Sequence, residues 1–258
     1  LPIVDIITLA ATGSEYDAGG VISRTETNDK TCYSDPHLYP EVSFLDPTYT
    51  FTVSKKQTSA GIADAMNHIF EQYFCEDSTI LNDGFMEAGL KSLMINGRKC
   101  LDNPEDYNAR AEMMLVCTYG CNDIYSLGNS QSGWPCHGME HALSAYYDIT
   151  HGEGLAIITP RWMKHILSEK TVDRFVKYGI NVFGIDESLD KMAIANKAID
   201  ETYKFFESIN IPMHLKDVGI DESRIDEMAK HVADNEGLEN AWAPLLEEDI
   251  AAIFRASL

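Results

Sequence analysis

Two segments of the chain carry side chains of the kind that bind first-row divalent metals. Asp64-Ala65-Met66-Asn67-His68 places a carboxylate and an imidazole at i and i+4, and His137-Gly138-Met139-Glu140-His141 places two imidazoles at the same spacing. Residues four apart on an α-helix are neighbours, so each pair can reach one ion. His151 follows, just past a helix-to-loop signal at Asp148-Ile149-Thr150. A carboxylate with neutral imidazoles suits Fe(II), Zn(II) or a related ion, with water or a substrate oxygen completing the shell. Such an ion polarises a carbonyl or lowers an alcohol's pKa. Any one of these histidines alone reads better as a core or surface residue; two spaced pairs and a further histidine point to a metal. Spacing leaves open which of His137, His141 and His151 bind it. Glu140 reads equally as the hydrogen-bond partner of a ligand imidazole or as a solvated helix position. His37, His165, His214 and His231 stand apart and receive no role.

The elements that must position these residues are mostly helices. Ile62, Met66, Ile69, Phe70 and Tyr73 recur at helical spacing and define one apolar face, with Asp64 and His68 on a nearly opposite stripe. Further helices are expected over 80–97, 106–126, 136–147, 153–167, 170–182, 189–208, 221–234 and 246–257, with Pro160 kinking or splitting the helix that contains it. Residues 1–52 differ. Residues 3–8 and 42–45 read as strands, the latter closed by Asp46-Pro47. Residues 21–23 and 30–33 read as short strands around a turn at Asn28-Asp29. Gly13, Gly19 and Gly20 mark tight turns. The fold class is therefore mainly α: a β-rich piece over 1–52, then an all-helical metal-binding domain over 53–258. A few short strands rarely fold alone, so they should pack on the helices or form the edge of something larger.

Composition narrows the partners. The net charge of −21 over 258 residues repels phosphate backbones and argues against nucleic acid. No uninterrupted apolar run is long enough to span a membrane. The six cysteines form no Cys-x-x-Cys pair and read as reduced thiols of a cytoplasmic protein. The chain begins at Leu1 without an initiator Met and without the basic and apolar regions of a secretion signal, so it is expected to be a processed chain or a fragment.

At these residues the sequence resembles the iron-containing, group III alcohol dehydrogenases, in the branch of butanol dehydrogenases and NADPH-dependent aldehyde reductases. Four stretches carry the resemblance: Thr8-Leu9-Ala10-Ala11-Thr12-Gly13-Ser14-Glu15, Leu45-Asp46-Pro47-Thr48-Tyr49-Thr50, the run from Asp64 to Tyr73, and the run from His137 to His151. The resemblance implies that Asp64, His68, His137 and His151 are the metal ligands, with Fe2+ or Zn2+ as the ion. It implies that His141 lies beside the metal and the nicotinamide in a proton-relay role. It also implies that Thr8, Thr12, Asp17, Gly19, Lys30, Tyr49, Thr50 and Val53 line an NAD(P) cofactor. Read from the residues alone, Thr12-Gly13-Ser14-Glu15 is only a capping box, Gly19-Gly20 a turn, and Lys30 an exposed hairpin charge. The implied activity interconverts a primary alcohol such as butanol and its aldehyde in a homodimer. A glycerol-dehydrogenase-like zinc enzyme and a non-catalytic metal-binding helical domain are the alternatives. Such enzymes begin with an α/β dinucleotide-binding half whose Gly-rich turn holds the pyrophosphate. No such turn is found here, so residues 1–52 are expected to be the last part of that half, with impaired activity in this piece.

Overall fold

The structure, a computed structural model, describes residues 1–130 and 132–258. Its helical body is built from α1 (Lys55–Tyr73), α2 (Ile80–Asp102), α3 (Tyr107–Gly120), α4 (Pro135–Tyr147), α5 (His151–Ile166), α6 (Val172–Phe183), α7 (Lys191–Ser208), α8 (Ile225–Asn235) and α9 (Glu247–Ala256). Ahead of it lie β1 (Val4–Ile6), β2 (Gly19–Arg24), β3 (Asp29–Ser34) and β4 (Val42–Phe44). β1 and β4 pair in parallel, Val4 opposite Val42, while β2 and β3 form an antiparallel hairpin with Gly20 opposite Tyr33. The fold is mainly α. The β2–β3 hairpin packs on the helices, β3 lying against α4, whereas Val4, Ile6, Val42 and Phe44 of the β1–β4 pair are exposed.

Helix α1 is the axle of the body. Ser54 caps its start by accepting the Gln57 N–H, and every residue from Thr58 to Tyr73 is buried. Its apolar face packs on α2, α3 and α5. Phe70, Tyr73 and Phe74 join Trp162, Phe175 and Tyr178 in an aromatic cluster with tilted and edge-on contacts. Each such ring withdraws apolar surface worth about 1.5–3 kcal/mol. The polar stripe of α1 is equally buried, which the alternation of apolar and polar residues does not foretell. It faces the site.

Several elements differ from the sequence expectation. Helix α3 ends at Gly120 rather than at 126, because Gln72 Nε2 donates to the Gly120 carbonyl at 2.6 Å. Pro160 does not split its helix: α5 runs unbroken through it, and Arg161 Nη1 donates to the Ile157 carbonyl at 3.0 Å in the weakened turn. That helix begins at His151, two residues earlier than expected. Before α8, Asp221 caps a short 3-10 turn, so the helix starts at Ile225. Gly19 and Gly20 open β2 instead of forming a turn. At Gly20 a Cβ would stand 2.6 Å from the hydroxyl of Tyr33, an exposed side chain across the hairpin, so that ring would have to shift. Residues 12–15 form no capping box: Gly13, the residue before the 3-10 turn Ser14–Tyr16, offers no side chain, and Glu15 instead accepts from the Thr118 hydroxyl of α3.

Candidate metal centre

Three helices bring four potential ligands together. Asp64 and His68 lie one turn apart on α1, His137 lies in the first turn of α4, and His151 opens α5. Asp64 Oδ1 is 3.5 Å from His68 Nε2, 3.8 Å from His137 Nε2 and 3.5 Å from His151 Nε2. Donor atoms of Asp64, His137 and His151 all fall within 4.8 Å of one another. His68 sits just outside that tightest group, its ring stacked on His137 with centroids 4.9 Å apart. Asp64 Oδ1 and His137 Nε2 are buried and have no hydrogen-bond partner among the described residues. Buried polar atoms are ordinarily satisfied. A carboxylate oxygen and three imidazole nitrogens turned toward one another are the donor set a divalent cation requires.

Two further carboxylates orient the imidazoles. His137 Nδ1 hydrogen-bonds Glu71 and His151 Nδ1 hydrogen-bonds Glu140, both carboxylates fully buried. Placing the proton on Nδ1 leaves the Nε2 lone pair facing Asp64, the arrangement that fixes a ligand imidazole's tautomer. Glu71 also accepts the His137 backbone N–H at 3.2 Å and that of Cys136. It thus caps α4 from across the interface, where Trp134, the residue before the helix, supplies no cap of its own. Glu140 is therefore a partner of His151 and not a solvated position. Glu71 received no role in the sequence reading, yet it falls on the same stripe of α1 as Asp64 and His68, and that spacing is the signal that could have found it.

Close packing of α5 on α1 sets the distance between His151 and Asp64. At Gly152 a Cβ would stand 2.0 Å from the Ala60 carbonyl oxygen, so the two backbones approach as closely as only glycine permits. Burial and charge then set the protonation of the cluster. Burial alone would raise Asp64, but the three imidazoles hold it below the usual carboxylate range. Burial pushes His68 down to about 4 against the pull of Asp64, aided by His137 and His151. Burial also opposes charge on His137, yet Glu71 and Asp64 raise it to about 10.

The centre opens into a cavity of about 790 Å³. Of the residues expected to line a cofactor, Thr12, Asp17, Gly19 and Lys30 reach its wall; Thr8, Tyr49, Thr50 and Val53 do not line it. Thr50 is buried, its hydroxyl donated to the Pro47 carbonyl at 2.8 Å. Asp17 accepts the Gly19 N–H at 3.0 Å, and burial raises its pKa. Lys30 turns inward, 3.3 Å from Glu140 Oε2 and 3.4 Å from His151 Nδ1, rather than out to solvent. His141 lines the cavity one turn after His137, its ring centroid 6.0 Å from that of His151 and its Nδ1 3.9 Å from Glu236 Oε1. Trp134, with φ of 51°, lies in T-shaped contact with the rings of His68 and His137.

A helical body with a carboxylate and three imidazoles at the base of a cavity, faced by a strand hairpin, defines a candidate metal-binding class of protein. The chain belongs to the iron-containing alcohol dehydrogenases: the family described as "Fe-containing alcohol dehydrogenase family, C-terminal" matches residues 58–258, and "Iron-containing alcohol dehydrogenase" matches residues 1–47. Over its full length the chain is 47% identical to NADH-dependent butanol dehydrogenase A of Clostridium acetobutylicum, covering 66% of that protein. It is 35% identical to the NADPH-dependent aldehyde reductase YqhD of Escherichia coli over 91% of the chain and 60% of that protein. The crystal structure of NADH-dependent butanol dehydrogenase A from Thermotoga maritima superposes on all of this chain and 66% of its own, at a TM-score of 0.93 and 34% identity. The chain thus spans about two thirds of the length of the curated relatives it matches.

Proposed function

We propose that the protein of this chain interconverts a primary alcohol, such as butanol, and its aldehyde with NAD(P)(H). The observation that carries this reading is the convergence of the Nε2 atoms of His68, His137 and His151 on Asp64 Oδ1 at the base of the cavity, with Asp64 Oδ1 and His137 Nε2 buried and unpartnered. A divalent ion held there, Fe2+ or Zn2+, supplies Lewis acidity toward an alcohol or carbonyl oxygen. Glu71 and Glu140 hold the imidazoles of His137 and His151 in the ligating tautomer. His141 lies outside the ligand set but on the cavity wall, where it moves a proton between the reacting oxygen and the rim at Glu236. Thr12, Asp17, Gly19 and Lys30 form the cofactor side of the cavity, and the chain divides near residue 53 into a cofactor-side segment and a metal-side helical domain. The two family matches, over 1–47 and 58–258, support that boundary.

The proposed substrate is a small alcohol or aldehyde, and the proposed assembly a cytoplasmic homodimer. Among the described residues no helix is long and apolar enough to cross a membrane. All six cysteines are free thiols, in keeping with a reducing compartment.

The test combines metal content with turnover. Elemental analysis of the chain after exposure to Fe2+ or Zn2+ should find about one ion per chain, and His137→Ala and His151→Ala should each lower it. Full occupancy in both variants would place the ion elsewhere. NADH or NADPH oxidation with butanal, measured on this chain and on a form extended to the length of its relatives, tests the chemistry. Metal binding without turnover in either form would favour a non-catalytic helical domain.

A further inference from the structure

The charges buried around the imidazole cluster leave a remainder, and one side chain sets its size. Asp64, Glu71 and Glu140 are 4%, 0% and 0% exposed. Each is placed as an acceptor. Asp64 Oδ1 faces three imidazole nitrogens, Glu71 takes three N–H groups, and Glu140 takes the Lys30 ammonium, the His151 ring and the Ser144 hydroxyl. Three carboxylates bring three negative charges into a region where unpaired charge is costly. Lys30 is the one ammonium or guanidinium among the described residues that line the cavity. Its side chain is 14% exposed, and it returns one positive charge. Two negative charges remain, which a divalent ion on neutral imidazoles cancels. The other acids lining the cavity are more exposed than these three carboxylates: Asp123 is exposed, Asp17 half-buried, and the Glu236 side chain 28% exposed, so water screens them more. The buried Glu15 is tied to Thr118 and lines no part of the cavity.

We infer that Lys30, reaching the cluster through Glu140, sets the net charge of the buried cage at minus two and so favours a divalent over a trivalent ion, holding iron ferrous. The inference rests on the reading of Asp64, His68, His137 and His151 as the ligand set. Lys30 touches no ligating atom, so it is a positioning residue whose contribution is charge. A purely mechanical role, clamping the β2–β3 hairpin to α4 and α5, makes a different demand. Loss of the clamp loosens His151 and weakens any ion, whereas loss of the charge leaves divalent affinity intact and favours oxidation.

The test compares the wild-type chain with Lys30→Met, which keeps the aliphatic stem, and Lys30→Arg, which keeps the charge. Each is loaded anaerobically with Fe2+, its iron content measured, and then exposed to air-saturated buffer while the ferric signal is followed by electron paramagnetic resonance. Lys30→Met should turn ferric about tenfold faster or more, with Lys30→Arg within about twofold of wild type. Competition with a chelator should show Lys30→Met binding Zn2+ at least as tightly as wild type. Wild-type oxidation kinetics in Lys30→Met, equally fast oxidation in Lys30→Arg, or weakened Zn2+ binding in Lys30→Met would each overturn the inference. Failure of the wild type to bind either ion would instead bring down the ligand set, and the charge assignment with it.

Discussion

The Glu71 carboxylate holds His137 by both ends, accepting its backbone N–H at 3.2 Å and its ring Nδ1–H. One buried side chain of α1 therefore caps α4 and selects the imidazole tautomer. Glu71→Gln keeps the shape but removes the charge that complements the helix N-terminus. Zn2+ affinity, measured by chelator competition, should fall about 10–100-fold. Thermal or urea unfolding of the metal-free chain should show a loss of about 1–2 kcal/mol. Unchanged affinity would mean that His137 does not depend on Glu71 for its orientation.

That pairing also marks where the sequence was legible. Asp64 and His68 stood out because two metal-binding types recur at i and i+4. Glu71, on the same stripe, did not, because a glutamate on a polar helix face ordinarily reads as solvated. What buries it is the arrival of α4, a contact between segments 66 residues apart that no local pattern records. The helices were legible from apolar spacing, but their ends were set by tertiary partners: α3 stops where Gln72 takes the Gly120 carbonyl. Lys30 read as a hairpin charge because nothing in 1–52 reveals that the hairpin folds back onto Glu140.

Metal uptake should release a proton. His137, raised to about 10 by Glu71 and Asp64 against burial, carries a proton at neutral pH in the metal-free chain, whereas His68, pushed down to about 4, is already neutral. A ligand nitrogen must be deprotonated, so the ion displaces the His137 proton. Affinity should rise with pH through the neutral range by about tenfold per unit for that one proton, and level off above about pH 10. Calorimetric titration of Zn2+ at pH 7.5 in buffers of different protonation heat should count close to one proton released. A count near zero would contradict the assigned charge state.

Gly152→Ala tests whether backbone approach of α5 to α1 sets the site. The new methyl would meet the Ala60 carbonyl oxygen at 2.0 Å, and backbone on both sides cannot yield as a side-chain tip would. The helices must separate, at about 1–3 kcal/mol, and His151 must move with α5. Both stability and Zn2+ affinity should fall. Gly84→Ala is the control: nothing lies within 4 Å of its Cβ position in α2. It should be neutral, or stabilising by about 0.5–1 kcal/mol through helix propensity. Intact Zn2+ binding in Gly152→Ala would show that the site does not need the close approach.

Away from the cavity, Asp83 anchors α6 to α2. It is 3% exposed and accepts from both terminal nitrogens of Arg174 at 3.0 Å, from Ser78 at 2.7 Å and from Lys177. The Arg174 guanidinium lies 4.3 Å from the centroid of the Tyr73 ring. Burial would raise the Asp83 pKa, but Arg174, Lys177 and Ser78 together lower it. A carboxyl whose folded pKa is depressed contributes stability that is present above its unfolded value, about 4, and is lost as pH falls through the folded value. Asp83→Ala leaves the Arg174 guanidinium unpaired in a mostly buried position and should cost about 3–5 kcal/mol at pH 7. Wild type and Asp83→Ala should then converge in unfolding free energy as the pH is lowered below about 4. A stability difference that stayed constant down to pH 2 would mean that the loss comes from packing and not from the ionised pair.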